Sequence, residues 1–148
     1  MRNLIEDRLS YTLAMVSRSY RDLASELLAP TGLHLGQNRL LQQLWEEDGL
    51  SQSRLAVLLG AKLPTITRMV GRMEASGFVQ RRPSPTDART TQVYLAEKGR
   101  EVKAPVEKFW VELEERATAN LDHEEEILLL HRLLMRVHAN LEGKETGA

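Results

Sequence analysis

The feature that most constrains this chain is a pair of short helical patterns hinged on one glycine. Gln52–Leu59 and Leu63–Ser76 both carry helical periodicity, with Gly60-Ala61 between them. Ser51 supplies a hydroxyl N-cap to the first, and Pro64 stands early in the second, where a missing N–H costs little. Ala56 lies four residues before Gly60 and Ile66 six after it. Two closely crossing helices need a small residue at the crossing, a glycine at the turn and a branched apolar anchor in the second helix. All three are present, and the segment predicts a helix-turn-helix.

The second of these helices sorts into two faces. Ile66, Val70 and Met73 recur at i, i+4 and i+7 and predict the core side, with Leu63 and Met69 beside them. Thr65, Arg68 and Arg72 recur at i, i+3 and i+7 on the opposite side, and the only acid, Glu74, falls in the last turn. An ordinary solvated helix mixes signs; this face offers only donors and positive charge. Arginine bonds guanine O6/N7 in a bidentate manner, and threonine reaches a base, a phosphate or a thymine methyl. Lys62 and the helix N-terminus add positive potential for phosphate. The predicted DNA-contacting set here is Gln52, Ser53, Lys62, Pro64, Thr65, Thr67, Arg68 and Arg72, with Gln52, Ser53 and Lys62 on phosphates.

Two strand-like runs follow, Phe78–Arg82 and Thr91–Leu95, separated by the proline-rich Pro83-Ser84-Pro85-Thr86-Asp87-Ala88-Arg89-Thr90. They predict a β-hairpin with an extended, exposed tip. Arg81 and Arg82 lie at its base and Asp87 and Arg89 near its tip. A lone exposed arginine loses side-chain entropy on ordering. A carboxylate two residues away is expected to orient the Arg89 guanidinium for a minor groove.

Charge is distributed accordingly. Residues 51–100 hold nine Lys/Arg and three acids, a local net of +6; the rest carries 11 basic and 18 acidic residues, a net of −7, within a formal total of −1. A basic middle between acidic flanks fits one anion-facing region.

Helical patterns flank this middle. Leu9, Leu13, Val16, Tyr20, Leu23 and Leu27 alternate spacings of four and three, a heptad seam that Ala29-Pro30-Thr31-Gly32 ends. A second helix spans about Gly36–Glu47. After Glu97 a helical pattern runs to about Asn120, kinked or interrupted at Pro105. A last helix opens with the capping-box-like Asp122-His123-Glu124-Glu125, and Leu130, Leu133, Leu134, Val137 and Leu141 line one side of it. The last residues, including Gly147-Ala148, are expected to fray. Aromatic residues are only 5% of the chain, so aliphatic side chains must fill the core. The seam and the leucine-rich helix expose more apolar surface than one small domain covers. Leu9, Leu13 and Val16 with the five residues of the last helix are therefore the expected dimer interface. The alternative is that these helices pack on each other within one chain.

Other chemistries find little support. The chain has no cysteine, which removes disulfides, thiolate metal sites and thiol sensing. No Ser/His/Asp signature, phosphate-binding glycine loop or His-Glu-x-x-His motif is present, so no enzymatic activity is expected. His131 and His138 share a helix face but lie seven residues, about 10 Å, apart, too far to share one ion on a straight helix. His123 sits beside Glu124 and Glu125. No metal and no cofactor are expected. The longest apolar run, Ile127–Leu130, is far short of a membrane span. The N-terminus, Met1 to Asp7, has acids where a signal peptide needs an apolar run. The expectation is a cytoplasmic protein without membrane contact.

The motifs Ser51-Gln52-Ser53-Arg54-Leu55-Ala56, Pro64-Thr65-Ile66-Thr67-Arg68, Met73 through Val79, and Asp87-Ala88-Arg89 through Val93, Leu95 and Lys98-Gly99 resemble those of the multiple-antibiotic-resistance regulator (MarR) family. Ala96 departs from the pattern, where the family often has a capping Thr; losing such a cap costs about 1 kcal/mol. The resemblance implies a mainly α, winged helix-turn-helix fold over 1–148. It places dimerisation helices at 1–30 and 97–142 and the DNA-binding part at 36–95. It implies a homodimer on double-stranded DNA, with recognition helices in successive major grooves and wings in flanking minor grooves. The expected activity is repression at a pseudo-palindromic operator, released by a small aromatic or anionic effector. Tyr11, Met15, Arg18, His34 and Trp45 are the candidates for the effector pocket. The rival reading is a winged-helix adaptor that binds protein and no DNA.

Overall fold

A computed structural model describes residues 8–122 and 124–143. The acidic N-terminal stretch through Asp7, His123 and the expected fraying end at Gly147-Ala148 lie outside the described residues. The chain forms two compact units, Met1–Val111 and Glu112–Ala148.

In the first unit, helix α1 (Leu9–Leu28) runs into a 3-10 turn at Ala29–Thr31 and stops at Gly32, whose φ of 78° suits glycine. The Thr31 hydroxyl locks this stop. It donates to the Leu28 carbonyl at 2.6 Å and accepts the Leu33 N–H at 3.2 Å. Helix α2 (Gln37–Glu46) follows, then a two-residue strand β1 (Leu50–Ser51) and helix α3 (Gln52–Leu59). Ser51 caps α3 as expected, its Oγ accepting the Arg54 N–H at 3.0 Å, and Gly60 ends it with φ 62°. Helix α4 (Leu63–Ala75) closes at Gly77. Strands β2 (Val79–Pro83) and β3 (Thr91–Leu95) pair antiparallel, Arg81 opposite Val93.

Strand β1 was not legible in the sequence. It pairs with β3, Leu50 opposite Val93, and makes the hairpin a three-stranded sheet of order β1-β3-β2. Two residues cannot show a period. Asp48 pins the junction: its Oδ1 accepts the Leu95 N–H at 2.8 Å and the Gly49 N–H at 3.0 Å. The second strand also starts one residue later than expected. The Phe78 N–H instead bonds the Met73 carbonyl at 2.9 Å and closes α4.

The interruption at Pro105 is real and falls upstream of the ring. Helix α5 (Glu97–Glu101) ends at Val102 and α6 (Lys103–Thr118) begins immediately after. A proline has no N–H for the carbonyl four residues back, here Glu101, and its ring crowds that carbonyl.

The core of the first unit gathers Leu28, Leu40, Leu41, Leu44, Leu55, Ile66, Val70, Met73, Val79 and Val93, all essentially inaccessible to water. Burying such a side chain contributes about 1.5–3 kcal/mol, so α2, α3, α4 and the sheet are mutually anchored. Leu63 departs from expectation at 45% exposed; the core face of α4 starts one turn later, at Ile66.

In the second unit, helix α7 (Glu126–Leu141) has Glu125 at its N-cap and no side-chain capping bond there, and Asp122 shapes the turn before it. Asp122 Oδ1 accepts the Glu124 N–H at 3.0 Å, and Glu126 Oε2 reaches back to the Asp122 N–H at 2.7 Å. The expected capping box is therefore not formed; the two bonds close a turn that leads into the helix. No helix of the described residues is long and apolar enough to cross a membrane.

Candidate nucleic-acid interface

Helix α4 presents two faces as its periodicity requires. Ile66, Val70 and Met73 are buried against the core, while Thr65, Arg68 and Arg72 are exposed. Lys62 and Pro64 at its start are exposed as well, as is Ser53 near the start of α3. Thr65, Arg68 and Arg72 border a concavity of about 360 Å³ together with His34, Gln37 and Met69. The opening between α4 and the start of α2 is therefore cationic, lined by two guanidiniums and an imidazole.

Two residues of the predicted set look inward. Gln52 and Thr67 are each half-buried, and Gln52 Nε2 lies 3.5 Å from Thr67 Oγ1. This contact joins α3 to α4 across the turn.

The hairpin gives Arg81 a partner that the sequence did not show, and it corrects the reading of Arg89. Arg81 is committed to Glu74. Its backbone N–H donates to Glu74 Oε2 at 2.7 Å, and its guanidinium donates to Oε1 through Nε at 3.2 Å and through the terminal nitrogen at 3.1 Å. The guanidinium lies over Gly71, 3.9 Å from where a Cβ would stand. The backbone bond from Arg81 is the main influence holding the Glu74 carboxyl below its ordinary pKa, helped by the bond and charge of the Arg81 side chain. The single acid of α4 is thus a strut between that helix and β2. Opposite charges flanking the Gly77 stop were the available signal. Arg82 stays exposed, its guanidinium 4.8 Å from the Tyr94 ring centroid and 3.0 Å from Gln80 Oε1.

At the tip, Asp87 works on the backbone. Its Oδ1 accepts the Arg89 N–H at 3.0 Å and its Oδ2 the Thr90 hydroxyl at 3.3 Å. The Ser84 N–H bonds the Thr90 carbonyl at 2.8 Å, closing the loop. The expected carboxylate–guanidinium contact is absent, and among the described residues the Arg89 side chain has no ion pair. Asp87 therefore fixes where the arginine is rooted and leaves its cation available.

The proposed pocket residues are not brought together. Tyr11, Met15 and Arg18 border a shallow concavity of about 390 Å³ on α1 alone. His34 borders the cationic concavity beside α4. The Trp45 indole N–H donates to the Gly99 carbonyl at 2.8 Å, which makes it a brace between α2 and α5. Among the described residues, no three His, Asp or Glu side chains converge as metal ligands would.

A helix-turn-helix followed by a two-stranded wing, with an acid-free Arg/Thr face outward, defines the winged-helix class of DNA-binding proteins. The family model described as "MarR family" matches residues 33–91. The chain is 36% identical over 137 residues to the HTH-type transcriptional repressor IacR of Pseudomonas putida, covering 93% of this chain and 81% of that protein. It is 34% identical over 121 residues to the HTH-type regulator YdgJ of Bacillus subtilis, covering 79% and 71%. Among solved structures, the transcriptional repressor CouR bound to a 23-mer DNA duplex superposes with a TM-score of 0.81 at 26% identity, over 93% of this chain and 97% of that one. A probable transcriptional regulator of Pseudomonas aeruginosa gives 0.80 at 27%, over 90% and 98%. The chain belongs to the MarR family and is a helix-turn-helix transcription regulator.

Proposed function

We propose that this regulator acts in the cytoplasm as a homodimeric repressor of a pseudo-palindromic operator and lets go when a small aromatic or anionic molecule binds. One observation carries the reading. Arg68, Arg72 and Thr65 stand exposed on the recognition helix with no acid beside them, next to a folded wing that offers Arg89, which has no ion pair among the described residues. Arg68, Arg72 and Thr65 read major-groove edges, Arg89 enters the minor groove, and Ser53 and Lys62 hold phosphates. The DNA-bound structure of CouR, similar over nearly the whole chain, supports this assignment.

Dimerisation is supported by uncovered apolar faces. On α1, Leu9, Met15 and Val16 are 63, 55 and 58% exposed. On α7, Leu130, Leu133, Leu134 and Leu141 are all exposed. A second copy covering these faces would orient two recognition helices about one DNA turn apart. With residues 36–95 reading DNA, 1–30 and 97–142 set the spacing, and an effector that alters the spacing shifts the population away from the DNA-competent form.

The test is titration of the protein into duplex from upstream of its own gene and into a scrambled duplex, over a salt series. Nanomolar, steeply salt-dependent binding to the first alone supports the proposal. No binding to either at low salt refutes it. Arg89→Ala is expected to weaken binding about tenfold or more; unchanged affinity rules out the minor-groove role.

A further inference from the structure

We propose that Arg82 is a phosphate contact held in place before DNA arrives, and that Tyr94 is the side chain that positions it. The proposal rests on the DNA-reading assignment above and adds to it a residue outside both the recognition helix and the wing tip. Strand register puts Gln80, Arg82, Gln92 and Tyr94 on one face of the β2–β3 pair, Gln80 opposite Tyr94 and Arg82 opposite Gln92. The other face carries Val79 and Val93, both buried in the core, so these four residues belong to the outer face of the sheet.

Arg82 differs from the other arginines of the hairpin. Arg81 is neutralised by Glu74. Arg82, like Arg89, has no ion pair among the described residues, yet its guanidinium is fixed. Its Cζ lies 4.8 Å from the Tyr94 ring centroid, and a terminal nitrogen donates to Gln80 Oε1 at 3.0 Å. Both partners are neutral, so they orient the cation and leave its charge for an anion. Tyr94 is itself held: its hydroxyl donates to Gln92 Oε1 at 3.0 Å. Gly49 makes room for the ring, since a Cβ there would stand 2.8 Å from it. An exposed cation–π contact adds little to stability, but restraining a flexible arginine reduces the entropy lost when it binds.

Location selects the ligand. On its other side Gln92 pairs with Ser51, so Arg82 stands two strand spacings, roughly 10 Å, from the residue that caps α3. Ser53 in the first turn of α3 and Arg89 in the loop that follows β2 are both assigned to DNA above. A cation fixed between those two contacts meets the sugar–phosphate backbone that separates the two grooves. The planar guanidinium suits two phosphate oxygens as a fork, and such a contact positions the protein without reading sequence.

The experiment is fluorescence-anisotropy titration of the full-length protein into duplex from upstream of its own gene and into a scrambled duplex, over a salt series. It compares wild type with Arg82→Gln, Arg82→Lys, Tyr94→Leu, Tyr94→Phe and the double variant Arg82→Gln/Tyr94→Leu. Arg82 is exposed and Tyr94 half-buried, so thermal unfolding accompanies the Tyr94 variants. Arg82→Gln should lose about tenfold in affinity for both duplexes alike and flatten the slope of log affinity against log salt by about 0.9. Arg82→Lys should restore the slope. Tyr94→Leu keeps the charge and removes the platform, so it should lose about threefold with the slope unchanged, and nothing further when added to Arg82→Gln. Tyr94→Phe should bind as wild type. Unchanged affinity and slope in Arg82→Gln overturn the phosphate contact. An equal loss from Tyr94→Leu with and without Arg82 overturns the positioning role. Absence of binding to either duplex by wild type overturns the regulator reading together with this one.

Discussion

Removing the Glu74 carboxylate isolates what holds the wing to the recognition helix. In Glu74→Ala the Arg81 backbone N–H loses a 2.7 Å charged acceptor and its guanidinium loses both of its bonds. The pair is about one-third exposed on each side, so solvent screening limits its ionic part to about 0.2–1 kcal/mol. The backbone bond to an ionised oxygen contributes about 1–1.5 kcal/mol net. The total, about 1.2–2.5 kcal/mol, should lower Tm by roughly 3–10 °C for a chain of this size. Glu74→Gln keeps an oxygen for the backbone N–H and should recover more than half of the loss. Thermal unfolding followed by circular dichroism measures both. Equal losses in Gln and Ala would refute the assignment of most of the stabilisation to the backbone bond, and no loss in either would refute the strut itself. The same contact has a pH signature. The folded state holds the carboxyl below its ordinary value of 4.5, so the contribution is full above that pH and is lost as the pH falls through the depressed value. Wild-type stability should therefore fall faster than that of Glu74→Gln below about pH 4.5 and run parallel to it near neutrality.

Other substitutions separate the remaining roles. Arg68→Ala should cost about 1–3 kcal/mol of operator affinity and relax base preference, while Lys62→Ala should weaken all duplexes alike and reduce the salt slope by about one; binding to a panel of mutated operators across salt distinguishes them. Gly99→Ala forces a Cβ into the Phe78 carbonyl and should destabilise by about 3 kcal/mol, measured by denaturant unfolding. Leu133→Glu places a charge on the exposed apolar face of α7, where a second copy would bury it, and should raise the dimer dissociation constant at least a hundredfold; sedimentation showing an unchanged dimer would place the interface elsewhere.

Much of the fold was legible because it is written in short-range chemistry. Ser51, Gly60, Pro64 and Gly77 bound α3 and α4 through caps and turns that involve neighbours within four residues. The split of α4 into a buried Ile66-Val70-Met73 side and an exposed Thr65-Arg68-Arg72 side follows from helical pitch alone. The candidate interface inherited that legibility. It failed where the outcome depended on which distant group arrives at a residue. Arg81 and Arg89 look alike in the sequence, as arginines of one hairpin. Only the packing of β2 against α4 brings Glu74 to the first and, among the described residues, no acid to the second. Asp87 was paired with the correct residue and the wrong atom, because a carboxylate two residues away reaches the backbone N–H more readily than a flexible guanidinium.

The pocket residues show the same division at longer range. Tyr11, Met15, Arg18, His34 and Trp45 share suitable chemistry, but α1 keeps three to itself, the opening beside α4 takes His34, and Gly99, 54 positions along the chain, takes the Trp45 indole. Strand β1 exists only because β3 lies beside it, held by Asp48 bonding Leu95 across 47 positions. Periodicity, caps and turn residues are local free energies that a single stretch of chain carries with it. The partner of a polar group is chosen by whichever arrangement buries the apolar core, and that choice belongs to the folded chain.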